Sequence, residues 1–171
     1  MIAYHEAGHA VISELLEPNS VTMISIGNRE SSIGGFTAYY RDYEYCYSVD
    51  FMKNRIMCLL GGKCAIELKY GKTDVGCVSD IERAVEIVQN IITKCCSLGF
   101  DKCQSRYFDF ELSNTHKYYQ ERTINDELER YYQQVKELLV NNRKFLDELA
   151  KEINNKKLLT AKDIKEIKEN L

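Results

Sequence analysis

"AYHEAGHAVI", residues 3–12, sets two histidines four residues apart with a glutamate directly after the first. On an α-helix, residues four apart stand one above the other on one face, so His5 and His9 can aim a ring nitrogen at a common point. Glu6 sits about 100° further round the axis, beside that point rather than on it. This pattern suits metal-assisted hydrolysis: two imidazole ligands, and a carboxylate placed to take a proton from an activated water. The expectation is therefore a helix carrying His5 and His9 as metal ligands and Glu6 as catalytic base. The competing reading is a chance pair of histidines beside a solvated glutamate. Composition weighs against it, because the chain has 3 histidines and two of them are here. Gly8, between them, costs about 1 kcal/mol in a helix interior relative to alanine, so it is expected to serve a close approach.

Working outward, the 171 residues suggest a single domain, with residues 1–100 as the catalytic part and 120–171 as a C-terminal helical part. Hydrophobic residues at 44% and charged residues at 29% give the balance of a globular protein. A formal charge of -3 provides no basic field for nucleic acid. The longest apolar runs, such as "IMCLLGG" at 56–62, fall short of a membrane span, and no signal-peptide pattern opens the chain. The expected setting is cytoplasmic, with no membrane segment in this chain and no nucleic-acid partner. Seven cysteines (Cys46, Cys58, Cys64, Cys77, Cys95, Cys96, Cys103) form no CxxC pair. Most of them read as small hydrophobes in a reducing compartment.

The single proline, Pro18, closes a helix over 2–16. "VTMISIG" at 21–27 and "GGFTAYY" at 34–40 predict a hairpin or small sheet edge, and a tyrosine-rich loop, "YYRDYEYCY", leads into a helix at about 48–69 closed by "YGKTD". A helix over 78–99 is expected to start on a Ser79/Glu82 capping box. Residues 100–120 read as irregular. A long helix over 124–154 follows, on apolar positions Ile124, Leu128, Tyr131, Val135, Leu138, Phe145 and Leu149, with Asn142 filling one register position. A last short helix follows Thr160, with Asp163 as its capping partner. The fold class is mainly α, with a small β-hairpin and a long C-terminal helix.

A catalytic zinc site needs a third protein ligand. His116, in "LSNTHKYYQ", reads as a solvent-exposed loop residue, and Glu14 lies too far round the first helix. Asp80, at the start of a helix in "GCVSDIERA", and Glu67, in "CAIELKYG", are the two carboxylates that the pattern leaves open.

Four further stretches, "VTMISIG", "LLGGKCAIELKYG" at 59–71, "VGCVSDIERAVEIVQNIIT" at 75–93 and "INDELERYYQQVKELLVNNRKFLDELAKEI" at 124–153, join the opening motif in a wider likeness. Together they resemble the peptidase domain of the FtsH-type ATP-dependent zinc metalloproteases, a family of membrane-anchored AAA proteases. The resemblance implies a helical zinc metallopeptidase domain with Zn2+ on His5, His9 and Asp80, and Glu6 as the base. It makes Glu67 a residue behind the ligands or a structural one. The chain departs from the family where "TGA" reads Val75-Gly76-Cys77, "ND" reads Ser79-Asp80, and the first glutamate of "AAEE" is Ile66. None of these departures removes a ligand or the base.

The resemblance further implies unfolded protein or peptide substrates, an AAA ATPase module and a homo-hexameric parent assembly anchored in a membrane, its peptidase on the cytosolic, matrix or stromal side. No GxxxxGK[ST] phosphate loop occurs in the 171 residues, so ATP is expected to bind elsewhere. The chain starts one turn before the motif, which suggests an excised peptidase domain or a stand-alone relative. "GGFTAYY" is expected to offer a docking edge for an extended substrate, with Gly35, Phe36 and Thr37 as substrate-binding residues. Two functions follow: a zinc endopeptidase, or a non-catalytic zinc-stabilised interaction module derived from the same fold. The intact Glu6 favours the enzyme, since a structural zinc site has no use for a base.

Overall fold

A computed structural model describes residues 1–27, 34–40, 48–103 and 112–171. Six α-helices and a three-stranded antiparallel sheet make up the described part, so the mainly α class holds. No described helix is long and apolar enough to cross a membrane.

Helix α1, Ile2–Leu16, has the bounds expected from its pattern, and Ala7, Ala10, Val11 and Ile12 are fully buried along it. It packs against α2, Val49–Tyr70, which starts on Ser48 and ends at Gly71 in the left-handed region, φ 61. The contact explains Gly8. A Cβ on Gly8 would lie 2.3 Å from the carbonyl oxygen of Gly61, and one on Gly61 would lie 2.7 Å from that of Gly8. The two helices touch backbone to backbone here, an approach that only a missing side chain on each permits.

Strand β1, Val21–Ile26, follows the Pro18 turn, where the buried carboxylate of Glu14 accepts hydrogen bonds from the backbone N–H of Asn19 (3.0 Å) and Val21 (2.9 Å). Strand β2, Gly35–Tyr39, pairs antiparallel with β1, as the hairpin pattern predicted. The sequence reading did not find β3, Leu158–Thr160, which pairs with the other side of β1 and gives the order β2-β1-β3. Its three residues are too few to show alternation, although Leu159 is completely buried. Residues 28–33, between β1 and β2, residues 41–47 of the tyrosine-rich stretch, with Cys46, and residues 104–111 of the stretch expected to be irregular lie outside the described residues.

Helix α3 covers Val78–Thr93 rather than 78–99, and no capping box starts it. Ser79 lies inside its first turn. The entry is made by a 3-10 turn, Val75–Cys77, in which the Asp74 carboxylate accepts from the Gly76 N–H at 3.2 Å and the Cys77 thiol donates to the Asp74 carbonyl at 2.7 Å. The single helix expected over 124–154 is two. Helix α4 runs Asn114–Asn141 and α5 runs Arg143–Lys156. Asn142 divides them: its side-chain amide and its backbone N–H both donate to the Leu138 carbonyl, ending α4 rather than continuing the stripe. Helix α4 also begins well before 124, capped by Ser113, so His116 sits on its first turn and not in a loop. Helix α6, Ala161–Glu169, has the expected Thr160/Asp163 capping box.

Cys58, Cys64 and Cys77 are buried, and burial pushes the Cys58 thiol up to about 12 and the Cys64 thiol to about 11, which keeps both inert. Cys95 is exposed, and Cys96 and Cys103 are half-buried, so the reading of the cysteines as core residues holds for the first group only.

Candidate metal centre

Helix α1 brings His5 and His9 onto one face, and α3 brings Asp80 to meet them across 71 residues of chain. Nε2 of His9 lies 3.1 Å from Nε2 of His5 and 3.1 Å from Oδ2 of Asp80, and Nε2 of His5 lies 3.2 Å from the same oxygen. An ion held tetrahedrally at about 2.0–2.1 Å from each ligand atom would separate those atoms by roughly 3.3–3.4 Å. The three donors therefore fit zinc, in both spacing and chemistry. Among the described residues they are the one group of three such ligands.

The tautomer follows from a backbone contact. Nδ1 of His9 lies 2.7 Å from the carbonyl oxygen of Cys58, which can only accept, so Nδ1 carries a proton; in the neutral ring Nε2 then keeps its lone pair for a metal, and in the imidazolium it donates to Asp80. Burial alone would lower the pKa of His9, but the hydrogen bond and charge of Asp80 outweigh it and raise it. Burial works against the ionised form of Asp80 too, yet hydrogen bonds from His5 and His9 hold its carboxyl well below the usual range.

Gly62 makes room for the two rings. A Cβ there would lie 2.7 Å from Cε1 and Nδ1 of His5 and from Nε2 of His9. The sequence reading passed over this residue. The available signal was the pair Gly61-Gly62 inside a helix, each position costing about 1 kcal/mol relative to alanine unless something requires it. We expect Gly62→Ala to weaken zinc binding roughly 10–100-fold by turning the rings aside, with the helical circular dichroism unchanged. Competition against a chromophoric chelator measures this. Wild-type affinity in the variant would show that the slot is unimportant.

Glu6 is 5% exposed and stands beside the triad. Its Oε2 accepts a 2.8 Å hydrogen bond from the Thr37 hydroxyl on β2. A cleft of about 380 Å³ opens over His5, Glu6, His9 and Asp80, with Phe36 and Arg55 among its walls. Of the residues expected to contact substrate, Phe36 is exposed at 47%, while Gly35 and Thr37 are half-buried against Glu6. On its outer side β2 has no strand partner among the described residues.

Glu67 lies outside the cleft lining and ties elements together instead. Its carboxylate accepts from Lys63 on its own helix, from the Tyr132 hydroxyl on α4, and from Thr73 Oγ1 at 2.8 Å in the turn before Asp74. Burial raises its pKa, but these hydrogen bonds outweigh that and lower it from the ordinary 4.5. A depressed carboxylate adds stability that is present above its unfolded pKa and is lost as pH falls through the lower folded value. Melting curves from pH 6 to pH 3 should therefore show less acid loss in Glu67→Gln than in wild type, starting from a midpoint lower at pH 6 by about 1–3 kcal/mol of stability. Equal acid slopes would rule the contribution out.

The sequence has counterparts among known proteins. The family model for Peptidase family M41 matches residues 1–167. The chain belongs to this family. It is 31% identical to the "ATP-dependent zinc metalloprotease FtsH" of Methylococcus capsulatus over 97% of the chain and 28% of that relative. To the protein of the same name from Thermotoga maritima it is 30% identical, over 98% of the chain and 30% of the relative. An "ATP-dependent zinc metalloprotease FtsH 2" of Thermoanaerobacter sp. is 25% identical, over 95% and 31%. The chain thus spans less than a third of the length of these curated family members.

Proposed function

We propose that this M41 chain is a zinc endopeptidase that hydrolyses peptide bonds in unfolded or extended protein segments. The observation that carries the reading is the convergence of His5, His9 and Asp80 beside a buried carboxylate, at the floor of a cleft with a sheet edge along its wall. His5, His9 and Asp80 would hold the ion, with Glu6 as the base. Bound zinc would supply Lewis-acid polarisation of the scissile carbonyl and a lowered pKa for the attacking water.

The chain's own residues account for the rest. An extended peptide docks along β2 through main-chain hydrogen bonds, which orient its carbonyl while selecting side chains only weakly. Phe36, exposed on that strand, offers an apolar contact to the docked segment. Glu6 takes a proton from the attacking water as its oxygen bonds to the carbonyl carbon. The same carboxyl then passes that proton to the leaving amine nitrogen as the C–N bond breaks. Glu67 is a structural residue behind the site. We further propose an AAA ATPase module as partner, which unfolds substrates and feeds them to this cleft, in a hexameric ring whose peptidase faces the cytoplasm. This fits the name "ATP-dependent" carried by the relatives.

The test is cleavage of a permanently unfolded, fluorescently labelled protein by the zinc-loaded chain without ATP. We expect internal cleavage that a chelator abolishes and stoichiometric zinc restores. A chain that binds zinc and leaves the substrate intact, even when fused to its ATPase, would overturn the peptidase reading in favour of a zinc-stabilised interaction module.

A further inference from the structure

Strand β2 does more than border the cleft. Residues two apart on a strand point to the same face, and at 35 and 37 that face meets Glu6. Thr37 Oγ1 is 2.8 Å from Glu6 Oε2, and the same hydroxyl is 3.3 Å from the Glu6 carbonyl oxygen. A hydroxyl has one proton, and the shorter contact, to a charged acceptor, takes it. Two residues earlier, a Cβ on Gly35 would stand 2.8 Å from Glu6 Oε1 and 3.0 Å from its Cγ. The strand thus provides a donor for one carboxylate oxygen and a bare α-carbon against the other. Thr37 pairs across the sheet with Ile24 and Gly35 with Ile26, both buried and apolar. A β-branched hydrocarbon would suit position 37 for packing alone, so the hydroxyl is the feature that needs a reason.

We infer that Thr37 is a positioning residue for the base: it pins Oε2 of Glu6 and leaves Oε1, over Gly35, as the oxygen that accepts and returns the proton. This rests on the peptidase reading above. In the hydrolytic step a proton moves from water to Oε1 as the O–C bond forms, then from Oε1 to the amine nitrogen as the C–N bond breaks, and Glu6 ends as it began. Thr37 keeps its own proton throughout. An unpinned carboxylate spends part of its time turned away from the water. The loss therefore falls on the chemical step rather than on substrate binding.

The experiment compares Thr37→Val, which keeps shape and β-propensity but removes the donor, with Thr37→Ser, which keeps the donor. Steady-state cleavage of an extended fluorogenic peptide is measured alongside zinc content. We expect kcat to fall roughly 10–100-fold in Thr37→Val with KM within about twofold and zinc unchanged, and Thr37→Ser to recover to within about threefold of wild type. An unchanged kcat in Thr37→Val, an equal loss in Thr37→Ser, or a rise in KM alone would overturn the assignment. A second readout needs no activity: with 13C-labelled glutamate in the zinc-loaded chain, the Glu6 carboxyl resonance should move in Thr37→Val and return in Thr37→Ser. A resonance indifferent to both changes would overturn the contact itself. Wild-type chain that binds zinc and cleaves nothing, alone or fused to an AAA ATPase module, would overturn the peptidase reading, while the resonance still reports whether Thr37 holds Glu6.

Discussion

Glu6→Gln should leave zinc bound and lower kcat by about 10²–10⁴-fold, the contribution typical of a positioned general base. The amide is nearly the shape of the carboxylate, and its oxygen can still accept from Thr37, so neither fold nor ligand set should suffer. What is lost is a group able to take a proton from water and return it to the amine. KM should change little, because the proposed docking strand and the proposed ligands are untouched. Initial rates on the unfolded labelled protein, with zinc content measured on the same sample, decide the matter. A variant within threefold of wild type would move the proton transfer away from Glu6.

The largest effect on stability is expected from Gly8→Ala. Elsewhere in a helix this change stabilises by about 1 kcal/mol. Here the new Cβ would stand 2.3 Å from the Gly61 carbonyl oxygen, 2.6 Å from the Ala65 Cβ and 2.8 Å from the Gly61 carbonyl carbon. Two of these are backbone atoms of a helix and cannot swing aside, so α1 and α2 must separate along the most extensive helix contact in the fold. We expect a loss of at least about 3 kcal/mol. For a chain of this size that lowers the melting temperature by roughly 6–12 °C. Because α1 carries His5, Glu6 and His9, zinc binding should weaken in the same variant. A melting temperature equal to or above wild type would mean that the helices do not meet this closely in solution.

The ends of α1 and α2 were legible in the sequence because each carries its own punctuation: Pro18 beyond one, Ser48 and Gly71 at the limits of the other. The pairing of His5 with His9 was legible for a similar reason, since helical periodicity is a local property. Asp80 was not, because its approach depends on the turn from Gly71 to Cys77. Pattern alone left it level with Glu67 until the resemblance to the family separated them, and the geometry now puts Asp80 with the histidines and Glu67 with Lys63, Thr73 and Tyr132. The break at Asn142 escaped because a single polar residue in a stripe reads equally as a register position or as a cap, and only the hydrogen bonds to Leu138 choose. Strand β3 escaped because three residues show no period. The purpose of Thr37 escaped because its hydroxyl acts across to another element, and a strand pattern records only which face a residue takes.

The ligand set has a topological consequence. His5 and His9 stand at the beginning of the described chain and Asp80 near its middle, with β1, β2 and the whole of α2 enclosed between them. A zinc ion there would be a cross-link closing a loop of 71 intervening steps, and an unfolded chain so tied has far fewer conformations than a free one. Zinc would then act as a clasp on the fold as well as a reagent. Where zinc is scarce, the same chain would be easier to unfold and, under the proposed peptidase function, inactive as well, and so closer to becoming a substrate of its own kind.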